Sequence, residues 1–185
     1  MKARDIPNLI SFLRILLTIP VAWLLIEREF GMALILFWVA GFSDGLDGYL
    51  AKRYGWQSRL GGLLDPLADK ALLMSSFLVL GVLGLIPVWL VMLVIFRDLL
   101  IIGGALYYHF SVEDLQAAPS LISKLNTLLQ ILLVLLVVTD AGPYPLPPLT
   151  LELLIWGTLV TILGSGANYV WVWSMKARRK GWRRN

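Results

Sequence analysis

The chain has no cysteine and only one histidine, His109, in 185 residues. Disulfides and thiolate metal sites are therefore excluded, and a zinc centre has almost none of its usual ligands. Charge is also scarce. Asp, Glu, Lys and Arg make up 15% of the residues against 58% hydrophobic, and the mean hydropathy is +0.78. A soluble domain carries roughly a quarter charged residues, so this composition points to an integral membrane protein, one domain spanning 1–185. No internal repeat or low-complexity tract is present. The first apolar run follows Lys2 and Arg4 and has no small-residue cleavage site, so it is expected to be a retained helix and not a signal peptide.

What the chain has in abundance is apolar sequence in runs of about 20 residues, the length that crosses a bilayer as a helix. Six segments qualify: 8–27, 31–51, 66–86, 88–109, 121–139 and 150–173. The expected fold is all-α and polytopic, with six transmembrane helices and both termini on one side. Lys2, Arg4, Lys52, Arg53, Arg59 and the basic tail 175–185 share one face, whereas the opposite loops hold Arg28 beside Glu27, Glu29 and Asp140. The positive-inside rule makes the first face, with both termini, cytoplasmic. The tail, with Lys176, Arg178, Arg179, Lys180, Arg183 and Arg184, reads as a juxtamembrane anchor beside anionic lipid and not as a nucleic-acid arm. Gly103, Gly104, Gly164, Gly166 and Ala167 are expected to permit close helix packing.

Against this background stands "GFSDGLDGYLAKRYGWQSRLGGLLDPLADK", which places Asp44, Asp47, Asp65 and Asp69 at the cytoplasmic ends of the second and third spans. Spacings of three and four put each pair on one helix face, and the short connection lets both pairs line one cleft. A carboxylate within a bilayer costs about 2.5–3.5 kcal/mol on insertion scales. Such a cluster needs water, cations or both. Hard carboxylate ligands suit magnesium, manganese or calcium, and two divalent ions would cancel four charges and could clamp a pyrophosphate. Gly45, Gly48, Gly61 and Gly62 allow backbone near a bulky ligand. Lys52, Arg53 and Arg59 would add charge near phosphates. One pair alone would read as helix capping. Four in register with glycines and cations read as a site.

The stretch resembles the signature of the CDP-alcohol phosphatidyltransferases, D-x-x-D-G-x-x-A-R, eight residues, then G-x-x-x-D-x-x-x-D. It reads here as Asp44, Asp47, Gly48, Ala51, Lys52, then Gly61, Asp65 and Asp69, with every spacing kept. Lys52 stands where the family usually has arginine; it keeps the charge and loses the bidentate fork. The resemblance implies a six-helix membrane fold, usually a homodimer, with its site open to the cytoplasmic leaflet, here of a bacterial inner membrane. It implies that Asp44, Asp47, Asp65 and Asp69 hold two divalent cations, Mg²⁺ or Mn²⁺, on the pyrophosphate of a CDP-linked lipid. Asp69 would also be the general base on the acceptor hydroxyl. Gly48, Ala51, Lys52 and Gly61 would bind the CDP-lipid.

The remaining segments, "IPNLISFLRILLTIP", "FRDLLIIGGALYY" and "PSLISKLNTLLQ", resemble the branch that makes phosphatidylglycerophosphate and cardiolipin, the cardiolipin synthases above all. Phosphatidylglycerophosphate synthases tend to have glutamate at the place of Asp98 and a second lysine at that of Asn126. The implied substrates are CDP-diacylglycerol with phosphatidylglycerol or, as the alternative, glycerol 3-phosphate. Arg97, Lys124 and Asn126 are the candidates for the acceptor, although Arg97 could equally pair with Asp98. Arg14, two turns into the first span, is expected to reach the headgroup layer or a lipid phosphate, and Asn8 to cap its helix. A divalent-cation transporter would also keep aspartates in its helices, but near mid-membrane. A lipid-binding scaffold gives no reason for this spacing.

Overall fold

The computed structural model describes residues 6–56, 61–111 and 121–181. Within them the chain is helical: α1 Ile6–Ile26, α2 Phe30–Tyr54, α3 Gly61–Val82, α4 Val88–Ser111, α5 Leu121–Ala141 and α6 Pro148–Gly181. The six helices fall on the six apolar runs. Four of them, α1, α2, α5 and α6, hold stretches long and apolar enough to cross a membrane: Asn8–Ile26, Phe30–Leu50, Leu121–Ala141 and Pro148–Tyr169. Asn8 is the third residue of α1 and not a residue preceding it, so the capping expectation fails. The helix α6 runs on into the basic tail as far as Gly181, where Lys, Ala and Arg are good helix formers.

Polarity is distributed inside out. On α1 the buried positions are Ser11, Arg14, Val21 and Leu25, while Leu9, Phe12, Leu13, Leu16, Ile19 and Trp23 are exposed. On α5 the buried Ser123, Asn126 and Gln130 stand against the exposed Leu121, Leu125 and Leu128. The same holds on α6, where Thr158, Thr161 and Ser165 are buried and Leu153, Trp156, Val160 and Leu163 exposed. In water such apolar faces would be an aggregation hazard. Against lipid tails they cost nothing, and polar and small groups turn inward to bond between helices.

The chain divides into two compact units. The first comprises Met1–Val88 with Val134–Pro147. In it α1 packs on both α2 and α3, and Val21, Leu25, Ala33, Phe37, Ala68, Phe77 and Leu80 form the core. Two turns shape this unit. After α3, Leu85 N–H donates to the Leu80 carbonyl at 2.9 Å and Gly84 N–H to that of Gly81 at 3.1 Å, with Gly84 at φ +75°. This is the left-handed helix ending that glycine favours. After α1 the same pair of bonds, Glu29 to Leu24 and Arg28 to Leu25, puts Arg28 at φ 60° without glycine's freedom.

The second unit comprises Trp89–Leu133 with Pro148–Asn185. Its α5 and α6 lie with Ile122 opposite Gly164 and Leu129 opposite Gly157, each within ordinary contact of a Cβ built on the glycine. Trp89 and Trp156 pack at 6.3 Å between ring centroids. Gly103 and Gly166, expected at close packing, have no described atom within 4 Å of an added Cβ. The tightest approach among the described residues is instead in the first unit, where a Cβ on Gly142 would come within 2.6 Å of Phe30 Cβ.

Candidate active site

The first unit gathers the signature. Asp44, Asp47, Gly48, Ala51 and Lys52 belong to α2, and Gly61, Asp65 and Asp69 to α3. The side chains of Asp47, Ala51, Lys52 and Asp65, and the surroundings of Gly61, lie outside the described residues. Asp44 and Asp69 are described, and they meet at one point. Arg14 Nη1 donates to Asp44 Oδ1 and, at 2.8 Å, to Asp69 Oδ1. Two helices thus turn one carboxylate oxygen each toward the same nitrogen, which is supplied by a third.

The burial is asymmetric. Arg14 is 2% exposed, whereas the side chains of Asp44 and Asp69 are 48% and 52% exposed. The guanidinium holds the pair from the protein side, and their remaining surface is open. A Cβ on Gly45 or Gly48 would meet no described atom within 4 Å. Two hard oxygen donors already converging on a cation, with solvent access, fit the chemistry of a divalent-ion site. Among the described residues no group of three or more ligating side chains gathers; Asp44 and Asp69 share the Arg14 nitrogen.

For Arg14 the structure gives partners that the sequence did not name: its buried side chain turns from α1 onto Asp44 and Asp69. A signal was available. A lone cation inside an apolar helix is expensive unless paired, and Ser11, one turn earlier on the same face, marks that face as polar.

The second unit holds the acceptor-side candidates. Arg97 is 4% exposed. Its Nη1 donates to Asp98 Oδ1 at 2.7 Å, and its Nη2 to Ser123 Oγ at 2.6 Å and Ser165 Oγ at 2.7 Å. Of the two readings open for Arg97, the structure therefore shows the ion pair with Asp98, itself 3% exposed. One turn along α5, Asn126 is fully buried and its Oδ1 accepts from Thr161 Oγ1 at 3.1 Å. Lys124 is exposed. Gln130 continues this face of α5, fully interior, and its Nε2 has no described hydrogen-bond partner.

Comparison with known proteins agrees with the signature. Residues 4–164 match the CDP-alcohol phosphatidyltransferase family. A cardiolipin synthase (CMP-forming) of Rattus norvegicus is 37% identical over 145 residues, covering 70% of this chain and 48% of the rat protein. A cardiolipin synthase (CMP-forming) of Streptomyces coelicolor is 37% identical over 116 residues, 58% of this chain and 54% of its own length. A chloroplastic CDP-diacylglycerol–glycerol-3-phosphate 3-phosphatidyltransferase of Oryza sativa is 33% identical over 147 residues, 70% of this chain and 45% of the rice protein. The chain spans about half the length of these relatives. With the aspartates and glycines of the signature in place on α2 and α3 and the match running through most of the six helices, this chain belongs to the CDP-alcohol phosphatidyltransferase family.

Proposed function

We propose that the chain is a phosphatidyltransferase that joins CDP-diacylglycerol to phosphatidylglycerol, giving cardiolipin and CMP. The observation that carries this reading is the convergence of Asp44 and Asp69, two carboxylates of the family signature, on one cationic group with half their surface open. In this reading all six helices span the membrane of a bacterial cell, both termini and the aspartates face the cytoplasm, and the protein works as a homodimer.

The chemistry follows from charge and proton balance. The acceptor hydroxyl oxygen attacks the β-phosphorus, which bears the diacylglycerol, and forms the new P–O bond. The bond from that phosphorus to the bridging oxygen breaks, and CMP leaves with the electron pair. Asp69 takes the hydroxyl proton. Half-exposed, it can receive a proton and release it to water. Two divalent cations held by Asp44, Asp47, Asp65 and Asp69 would neutralise charge building on the leaving phosphate. Gly48, Ala51, Lys52 and Gly61 bind the CDP-lipid, the glycines by leaving room for backbone approach. On the acceptor side Lys124, exposed on α5, meets the phosphodiester. Arg97 and Asn126 shape that face from within the second unit.

Glycerol 3-phosphate is the alternative acceptor, favoured by the name of the rice relative. A small dianion calls for a strongly cationic pocket, and Asn126 is neutral and engaged with Thr161. The test is CMP release by purified protein in micelles of CDP-diacylglycerol with Mg²⁺ or Mn²⁺. Phosphatidylglycerol, glycerol 3-phosphate, serine and no acceptor are compared in parallel, and the lipid product is identified by mass. Turnover with phosphatidylglycerol alone is expected. Turnover with glycerol 3-phosphate instead would overturn the acceptor assignment and leave the site standing.

A further inference from the structure

A buried cation in an apolar helix needs an anion, and Arg14 takes two, both from the family signature. Those same oxygens are the ones a divalent ion would need. Magnesium holds its oxygen ligands at about 2.0–2.1 Å in nearly ideal octahedral geometry. A guanidinium nitrogen placed between Asp44 Oδ1 and Asp69 Oδ1 occupies the ground where such an ion would bridge them. Charge acts in the same direction, because a fixed positive group a few ångströms away repels an incoming divalent cation.

We propose that Arg14 is a tethered counter-ion of the aspartate cluster. It compensates Asp44 and Asp69 while divalent ions are absent, and it is displaced from at least one of them when an ion binds. The inference rests on the reading of the aspartates as a divalent-cation site.

Three observations support it. Arg14 reaches the carboxylates from the interior, and they remain half open, so an ion from solvent has access to them. The three groups come from three helices, with Arg14 separated from Asp44 by 30 residues and from Asp69 by 55. The guanidinium therefore ties α2 and α3 to α1 against the mutual repulsion of their carboxylates. Finally, Arg14 brings one positive charge to two carboxylates, those of Asp44 and Asp69, so the pair is only partly neutralised and keeps its attraction for divalent ions. Arg14 thereby sets two properties at once: the metal-free protein stays folded, and its affinity for metal is held below what four bare carboxylates would give.

The test uses the purified full chain in detergent micelles, stripped with EDTA and titrated with Mn²⁺. Free Mn²⁺ is followed by electron paramagnetic resonance, and thermal unfolding is measured in parallel. The variants are Arg14→Gln, which removes the charge, and Arg14→Lys, which keeps it without the fork that engages two carboxylates. Arg14→Gln is expected to melt lower than wild type in EDTA and to recover more on adding Mn²⁺. Its binding midpoint should fall about tenfold, the scale of one unit charge on a nearby divalent ion in a wet site. Arg14→Lys should lie between. A midpoint in Arg14→Gln that is unchanged or higher overturns the counter-ion role alone, since wild type would still bind. If Arg14→Gln does not fold in either condition, Arg14→Lys decides, and a midpoint equal to wild type overturns the proposal. Absence of Mn²⁺ binding by wild type would overturn the cation-site reading and this inference with it.

Discussion

Among the described residues each unit of the molecule buries one arginine, and each arginine bonds to aspartate, but the two arrangements differ in what they leave open. Arg97 and Asp98 are both sealed, at 4% and 3% exposure, and the guanidinium is further held by Ser123 and Ser165. Arg14 is equally sealed, yet its partners Asp44 and Asp69 keep about half their surface free. A sealed pair is a structural element: desolvation roughly offsets its attraction, and removing one partner strands a buried charge. An open pair retains lone pairs facing solvent, and those can take a cation or a proton. Exposure of the carboxylate, and not the presence of the ion pair, separates chemistry from architecture here.

The strongest way to sharpen this contrast is at Asp69. Asp69→Asn keeps the shape and removes the base, and CMP release should fall by about 10²- to 10⁴-fold while the melting temperature changes little. At Arg97 the sign is reversed. Arg97→Ala takes the guanidinium away from the buried Asp98 carboxylate and should destabilise the fold by about 3–5 kcal/mol, read as a lowered melting temperature in micelles. Replacing both Arg97 and Asp98 by well-packed Met and Leu should restore most of that loss. The smallest effect is expected at Gln130, whose Nε2 has no described partner. Gln130→Met should be neutral or stabilise by up to about 1 kcal/mol, since a lost hydrogen bond is costly only when a partner is stranded. A large loss at Gln130 would show that its amide has a partner essential to the second unit.

Much of this was legible in the sequence, for reasons that can be named. The six helices follow from run length and from breaks at Gly55, Gly84 and the prolines after Ala141, where backbone preference and turn geometry agree. The aspartates announced themselves because charge in apolar sequence is costly and their spacing is helical. Arg14 could not be paired from sequence. Its partners lie 30 and 55 residues away, and which carboxylates the polar face of α1 meets is decided by packing that no local pattern encodes. The same applies to Asn126 and Thr161, 35 residues apart on two antiparallel helices. The glycines were legible in part: Gly164 packs on Ile122 as expected, Gly103 and Gly166 meet no described atom, and the tightest described approach is that of Gly142 to Phe30.

The comparison of the two aspartate environments is tested most directly by measuring CMP release per folded molecule for Asp69→Asn and Asp98→Asn side by side, with CDP-diacylglycerol and phosphatidylglycerol. Asp69→Asn should be folded and inactive, and Asp98→Asn should be poorly stable yet turn over normally in the fraction that is folded. An active Asp69→Asn beside a well-folded, inactive Asp98→Asn would contradict the assignment and move the chemistry to the second unit.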